Sequence, residues 1–158
     1  MGIHLALASG RTDQGLRSFA EQIDMQKHHG IFVCYNGAKV IDCQTGEVYY
    51  DKPMSVEEGK AVLEHMKKFD VIPIVARGEY MYTNDVFSGM IHRNIGSDEV
   101  FNVIQYESRS NGYILCEKKD LASFADFEIE KILTAGDMWQ KTSGKLRKRS
   151  RINLSQIT

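Results

Sequence analysis

The chain opens on an almost unbroken apolar run from Ile3 to Ala8, closed by the small-residue turn Ser9-Gly10-Arg11. A short apolar run ending in turn residues predicts a strand covered on both faces, the kind found inside a parallel sheet. The spacing then changes. From about Thr12 to Ile23, apolar residues recur at Leu16, Phe19, Ala20 and Ile23, which is one helical face. Thr12 is a fitting N-cap, and Asp13 suits the positive helix start. Residues 25–30 read as a polar connector. Residues 31–34 are apolar and β-prone, Tyr35-Asn36-Gly37-Ala38 is a turn, residues 39–42 are a second strand, and Val48-Tyr49-Tyr50 return after Gln44-Thr45-Gly46. That sequence of signals predicts a small antiparallel meander.

Further along, Ser55 and Glu58 stand at capping-box spacing, ahead of a helix with Val62, Leu63, Met66 and Phe69 on one face. Residues 71–76 predict a strand, and residues 79–83 pair with it through the Arg77-Gly78 turn. Asn84-Asp85 is expected to start a helical stretch through about Ile95. Residues 99–104 read as a short helix or connector, 113–116 as extended, 120–124 as a helical turn, and 129–134 as a final strand. The alternation makes a mixed α/β domain without an internal repeat.

Composition changes this picture little until the end of the chain. At 158 residues, 42% hydrophobic and 26% charged, it is an ordinary globular chain with a net charge of -1. Three cysteines without Cys-x-x-Cys spacing argue against a disulfide or zinc framework and for reduced thiols, hence a cytoplasmic setting. No stretch approaches the ~20 apolar residues of a membrane span, and no signal peptide is read at the start. Charge is uneven, however. Lys141, Lys145, Arg147, Lys148, Arg149 and Arg151 follow the last acidic side chain, Asp137.

A buried strand that ends in a small-residue turn at a helix start is where α/β proteins bind phosphate. Taken with Tyr35-Asn36-Gly37-Ala38, Thr45-Gly46-Glu47, Asp51-Lys52-Pro53 and the capped helix at Ser55, the order Ala8-Ser9-Gly10-Arg11 resembles the haloacid dehalogenase (HAD) superfamily. The nearest likeness is its Cof-type sugar-phosphate phosphatase branch. The resemblance runs through residues 3–137 and includes the 128–133 stretch, which is similar to a recurring cap strand. It implies an α/β fold: a mixed α+β cap domain, with an antiparallel-rich sheet and helices on one face, plus the second strand and helix of a Rossmann-like core. It also implies Mg²⁺-dependent hydrolysis of a phosphomonoester by an Asp nucleophile, with a second Asp two residues on as acid/base. In that scheme Ser9 corresponds to the phosphoryl-binding Ser/Thr, and the N–H groups of Gly10 and Arg11 join its hydroxyl around phosphate oxygens.

The chain departs from this pattern in one decisive respect: it contains no Asp-x-Asp. Gly136-Asp137 imitates the metal motif, but Lys141 stands at its second acid position. The expectation is therefore a truncated HAD-like hydrolase that is inactive as this chain. It divides into a core remnant at 1–30, a cap at 31–138 and a basic tail at 139–158. Mg²⁺ is expected only for a full-length family member, and this chain by itself is expected to hold no cofactor. The alternative is a non-enzymatic module that binds a phosphorylated ligand or another polyanion through the cap surface, Ser9-Gly10-Arg11 or the tail.

Each candidate has a plain counterpart. Ser9, Gly10 and Arg11 are the phosphate-binding candidates, against a simple strand-to-helix turn. Asn36 and Gly37 are candidate substrate contacts at the cap entry, against an ordinary hairpin turn. Arg77, with Glu79 and Tyr82, is a cap-side contact, against a solvated face. His28-His29 reads as a solvated pair rather than a metal site, Cys34 as core rather than nucleophile, and His92 as a surface residue. The basic run Lys145-Leu146-Arg147-Lys148-Arg149-Ser150-Arg151 lacks aromatic residues for base stacking, so nucleic acid is not expected, and neither is a membrane partner. The strand from Ile3 to Ala8, expected to lack both sheet neighbours, predicts self-association with a second copy or folding back onto the cap sheet.

Overall fold

The computed structural model describes residues 4–93 and 98–136 and, along the backbone, 139–142 and 145–148. Ile3, Ile95, Asp137, Arg149 and Arg151 lie outside the described residues.

One sheet gathers the first third of the chain. Strand β1 (Ala6–Ala8) leads into helix α1 (Gln14–Gln22), and β2 (Ile31–Cys34), β3 (Lys39–Asp42) and β4 (Val48–Asp51) follow in the spatial order β1-β2-β3-β4. The meander β2-β3-β4 is antiparallel as expected, and β1 joins it in parallel with Ala6 opposite Ile31. Two expectations are corrected here. First, β1 does not lack both neighbours, because α1 carries the chain back so that β2 lies alongside. The boundary expected at residue 30 therefore falls inside a sheet. Second, β1 is not covered on both faces: Ala6 and Ala8 are exposed and Leu7 is half-buried. Helix α1 sets Leu16 and Ala20 on Phe32, Cys34 and Ile41, so its cover is centred on β2 and β3, and Leu7 touches only its margin. Phe19 and Ile23, expected on the same face, are exposed. Thr12 does cap locally: its Oγ1 accepts the Gly15 N–H at 3.2 Å. The connector at 25–30 is a 3-10 turn over Met25–His28, and Met25 is fully buried beneath it.

The β3–β4 turn is organised by one side chain. Asp42 is 2% exposed, and its carboxylate accepts the N–H groups of Gln44 (2.8 Å) and Thr45 (2.9 Å) and the Tyr49 hydroxyl (3.2 Å). His29 Nδ1 lies 3.1 Å away.

The second sheet forms from the rest of the described chain. Its elements are α2 (Val56–Met66), β5 (Ile72–Arg77), β6 (Tyr80–Thr83), β7 (Met90–His92), β8 (Val100–Asn102), α3 (Val103–Asn111), β9 (Ile114–Glu117), α4 (Leu121–Phe124) and β10 (Ile132–Ala135). The sheet order is β10-β5-β6-β9, antiparallel except for the parallel β6–β9 pair. The capping box is present: Ser55 Oγ accepts the Glu58 N–H, and Glu58 accepts the Ser55 N–H at 2.9 Å. Helices α2 and α4 put Leu63, Met66 and Leu121 on the face that carries Val75. Period-two alternation turns Ile74 and Met81 to the other face, where Ile104 of α3 covers them.

Residues 85–93 are not a helix. The Asp85 carboxylate takes the N–H groups of Phe87 (2.7 Å) and Ser88 (2.9 Å), which turns the chain back instead of starting a helix. The turn feeds β7, which pairs with β8, and His92 sits exposed on β7. The connector expected at 99–104 belongs to β8 and to α3, capped by Asn102 on the Gln105 N–H at 3.0 Å. Along the backbone, β11 (Trp139–Thr142) and β12 (Lys145–Lys148) pair antiparallel. No helix among the described residues is long and apolar enough to cross a membrane.

Asp42 yields a pH prediction. The Thr45 N–H chiefly holds its carboxyl below the usual carboxylate range, against burial that pushes it up, with Gln44, His29 and Tyr49 adding to the lowering. A carboxyl depressed below its unfolded value of about 3.9 stabilises the fold above about pH 4, and that stability disappears as pH falls. Asp42→Asn is therefore expected to melt several degrees below the unaltered chain at pH 7. The gap should close towards about pH 2, as followed by thermal scans across that range.

Candidate active site

The two sheets meet around the turn after β1. The Ser9 carbonyl accepts the Asn36 N–H (3.2 Å), and the Arg11 carbonyl accepts the Tyr35 N–H (2.9 Å), so the 35–37 turn is zipped onto the Ser9-Gly10-Arg11 turn. Both Tyr35 and Asn36 adopt positive φ to do this. A Cβ on Gly10 would meet Asn36 Oδ1, so any larger residue there would push the Asn36 side chain aside. Ser9 Oγ accepts the Arg11 N–H at 3.1 Å, leaving the Ser9 O–H as a donor.

The second sheet closes over this turn. Helix α3 docks on α1 where Gly15 lacks a side chain: a Cβ there would run into Asn111 Oδ1. Gln14 Nε2 donates to the Gly112 carbonyl (3.0 Å). Met54 and Ile129 exchange backbone hydrogen bonds of 2.9 and 3.2 Å. The two residues after Ile129 then reach the first sheet. Glu130 accepts from Lys39 at 3.3 Å, and Lys131 Nζ donates to the Gly10 carbonyl at 2.6 Å. A cavity of about 220 Å³ remains between the sheets, lined by Ser9, Gly10, Thr12, Asn111, Tyr113 and Lys131 among others. A groove of about 680 Å³ shares Tyr35, Tyr113 and Glu130 with it and continues past Asp13, Lys39 and Arg77.

Electrostatics divide the site. Burial would lower the Lys39 ammonium, but Asp51 (3.0 Å) and Glu130 outweigh it, and its pKa is raised. Burial lowers Lys131, with Glu107 opposing. Burial, reinforced by Asp13, pushes the Tyr35 phenol up, and its hydroxyl donates to Asp13 Oδ1 at 3.1 Å. The Tyr113 phenol is likewise raised, chiefly by burial. Cys34 is fully buried, and desolvation pushes its thiol up to about 11, so it is a core residue and no nucleophile at neutral pH.

The structure thus brings Ser9, Gly10, Arg11 and Asn36 together. Gly37 serves the turn, with φ of 95° and open space where a Cβ would point. Arg77 lines the groove rather than the cavity; its guanidinium lies over the Phe127 ring at 4.5 Å and 3.8 Å from Asp126. The Arg11 guanidinium is held 5.6 Å from the Phe19 ring centroid. Sequence reasoning missed Lys131, Asn111, Tyr113 and Lys39. For Asn111 a signal existed: Asn102 at capping distance from Gln105, with Gly112 behind, marks the helix that presents it.

The sequence profile of the haloacid dehalogenase-like hydrolases matches residues 1–156. The chain belongs to that family. The crystal structure of a haloacid dehalogenase-like hydrolase from Bacteroides thetaiotaomicron has a TM-score of 0.69 to this chain at 23% identity, covering 87% of this chain and 47% of that one. A haloacid dehalogenase-like hydrolase from B. subtilis gives 0.58 at 14% identity, over 90% and 51% of the two chains. A HAD subclass IIB sugar phosphatase gives 0.51 at 16% identity, over 81% and 43%. The chain spans about half the length of these solved relatives, and at such identities the likeness shows the fold. No curated protein matches the sequence.

The family implies Mg²⁺, but the donor set does not fit a metal. Among the described residues no three His, Cys, Asp or Glu side chains gather to hold one. The acids nearest the turn are otherwise engaged, Asp13 with Tyr35 and Arg17 and Glu130 with Lys39.

Lys39 carries the electrostatics between the sheets and gives a stability prediction. Lys39→Met strips the shared cation from Asp51 and Glu130, both partly buried. Urea unfolding is expected to show a loss of about 1–3 kcal/mol, while Lys39→Arg stays within about 1 kcal/mol.

Proposed function

We propose that this chain carries the phosphoryl-binding turn and the substrate-covering part of a HAD-type phosphatase active site, and that it binds a small phosphorylated metabolite there without hydrolysing it. The parent reaction is Mg²⁺-dependent hydrolysis of a phosphomonoester. The observation that carries this reading is the cavity at Ser9-Gly10-Arg11. It stands at the start of α1, where backbone N–H groups favour an anion, and it is roofed by residues of the second sheet. The size of the cavity, about 220 Å³, falls below the ~300–1,000 Å³ of drug-sized ligand sites, which favours a phosphate with a short organic group.

The reading of inactivity rests on chemistry. Phosphoryl transfer to an enzyme carboxylate needs an in-line nucleophile and a partner acid, and the 158 residues contain no Asp-x-Asp. Asp13, Asp51 and Glu130 are engaged in structural pairs rather than poised to attack phosphorus.

The purified chain is expected to release no phosphate from p-nitrophenyl phosphate with Mg²⁺, and release abolished by a chelator would overturn the inactivity. Inorganic phosphate is expected to give calorimetric heat that Ser9→Ala weakens. Absence of heat with the unaltered chain would overturn the binding.

A further inference from the structure

We propose that Lys131 is the phosphate-binding cation of this site and that its contact with Gly10 is a parked position, released when an anion enters the Ser9 turn. This rests on the binding reading above and adds to it a residue supplied by the second sheet.

The case begins with a contrast between two neighbouring lysines. Lys39 has Asp51 at 3.0 Å and Glu130 at 3.3 Å, so its charge is balanced. Lys131 is half-buried, and among the described residues no carboxylate lies within ion-pair distance of it. Its hydrogen-bond partner is the neutral Gly10 carbonyl. A half-buried ammonium without an ion-pair partner is costly to desolvate and favours an anion that will enter. Glu130, its chain neighbour, cannot serve, because Lys39 holds it. Glu107 also lines the cavity and supports the Lys131 charge, but it forms no ion pair with it among the described residues; its Oε2 accepts from Asn111 Nδ2 at 3.2 Å.

The position of Lys131 points the same way. Its ammonium sits on the turn whose Ser9 hydroxyl and helix start favour negative charge. It offers three donors, of which Gly10 takes one. Asn111 also lines the cavity, but its Nδ2 is held by the Glu107 carbonyl at 2.8 Å and its buried Oδ1 is packed against Gly15 of α1. The donors left for a ligand beside the Ser9 turn therefore belong to Lys131, which suits a small phosphate ester. With the site empty, the Lys131–Gly10 contact ties the second sheet to the turn of the first. When phosphate is bound, the same ammonium bridges through the anion.

The test is calorimetry of inorganic phosphate and glycerol phosphate against four chains: unaltered, Ser9→Ala, Lys131→Gln and Lys131→Arg, each checked for its thermal transition. Lys131→Gln is expected to weaken phosphate binding about tenfold or more, and Lys131→Arg to restore most of it. In the unaltered chain, phosphate is also expected to slow acetylation of Lys131 while leaving exposed Lys68 unchanged, a readout that needs no variant. Phosphate binding that depends on Ser9 but not on Lys131, with Lys131 acetylated at the same rate, would sink this inference and leave the binding reading standing. No binding by the unaltered chain overturns both.

Discussion

Three consecutive residues, Ile129, Glu130 and Lys131, hold the two sheets in register, and the site exists because of how they are laid out. Ile129 exchanges backbone hydrogen bonds with Met54, which fixes the chain's path at the crossing. The chain bends at Glu130, and the next two side chains reach different parts of the first sheet. Glu130 reaches β3, where Lys39 waits, and Lys131 reaches the turn after β1. Ile129 is also core, packed with Leu63, Val75 and Leu121, so the crossing is anchored by burial before any polar contact forms. A one-residue slip would send Glu130 toward the Gly10 carbonyl, setting two acceptors face to face, and would leave Lys39 opposite Ile129.

Much of the fold was legible in the sequence, and what failed has local causes. The β2–β4 meander, the capping box at Ser55 and the Arg77-Gly78 hairpin announce themselves through turn chemistry and short-range alternation, and the structure holds all three. The stretch after Asn84 misleads because Asp85 is as good at closing a turn as at opening a helix. Which happens depends on Gly89, whose missing side chain lets Ile104 pack close. That contact spans the chain from residue 89 to 104, beyond any local pattern. The buried Met25 escaped for a similar reason: the turn at Met25–His28 is polar in sequence, and only the approach of Gly30 shows what its methionine fills.

The site was half legible. Ser9-Gly10-Arg11 and Asn36 carry a recognisable order, and they do converge. Lys131 and Asn111 carry none. A lysine between a glutamate and an isoleucine looks like any strand edge, and its importance comes from lacking an ion-pair partner, which is a property of the packed molecule. Arg77 illustrates the converse. Its place on a hairpin made it a candidate, but Phe127 and Asp126 hold it along the groove wall, away from the cavity.

Charge also gives the site a direction. The cavity end, beside the start of a helix, is lined by Arg11 and Lys131 against Glu107 and Glu130, and Lys131 has no ion-pair partner among the described residues. The groove end is lined by Asp13, Asp51, Glu79, Glu128 and Glu130 against Arg17, Lys39 and Arg77, five acids facing three cations. Those cations are engaged: Arg17 with Asp13, Lys39 with Asp51 and Glu130, Arg77 with Asp126. A phosphoryl group entering the groove end meets net negative charge, and at the cavity end it meets Lys131. On the proposed function, a monoester therefore lies with its phosphate at the Ser9 turn and its hydroxylated part along the groove. A second phosphate on the same ligand is disfavoured by the same carboxylates. The balanced Lys39 and the unbalanced Lys131 are then two parts of one arrangement, because pairing Glu130 with Lys39 is what leaves Lys131 available.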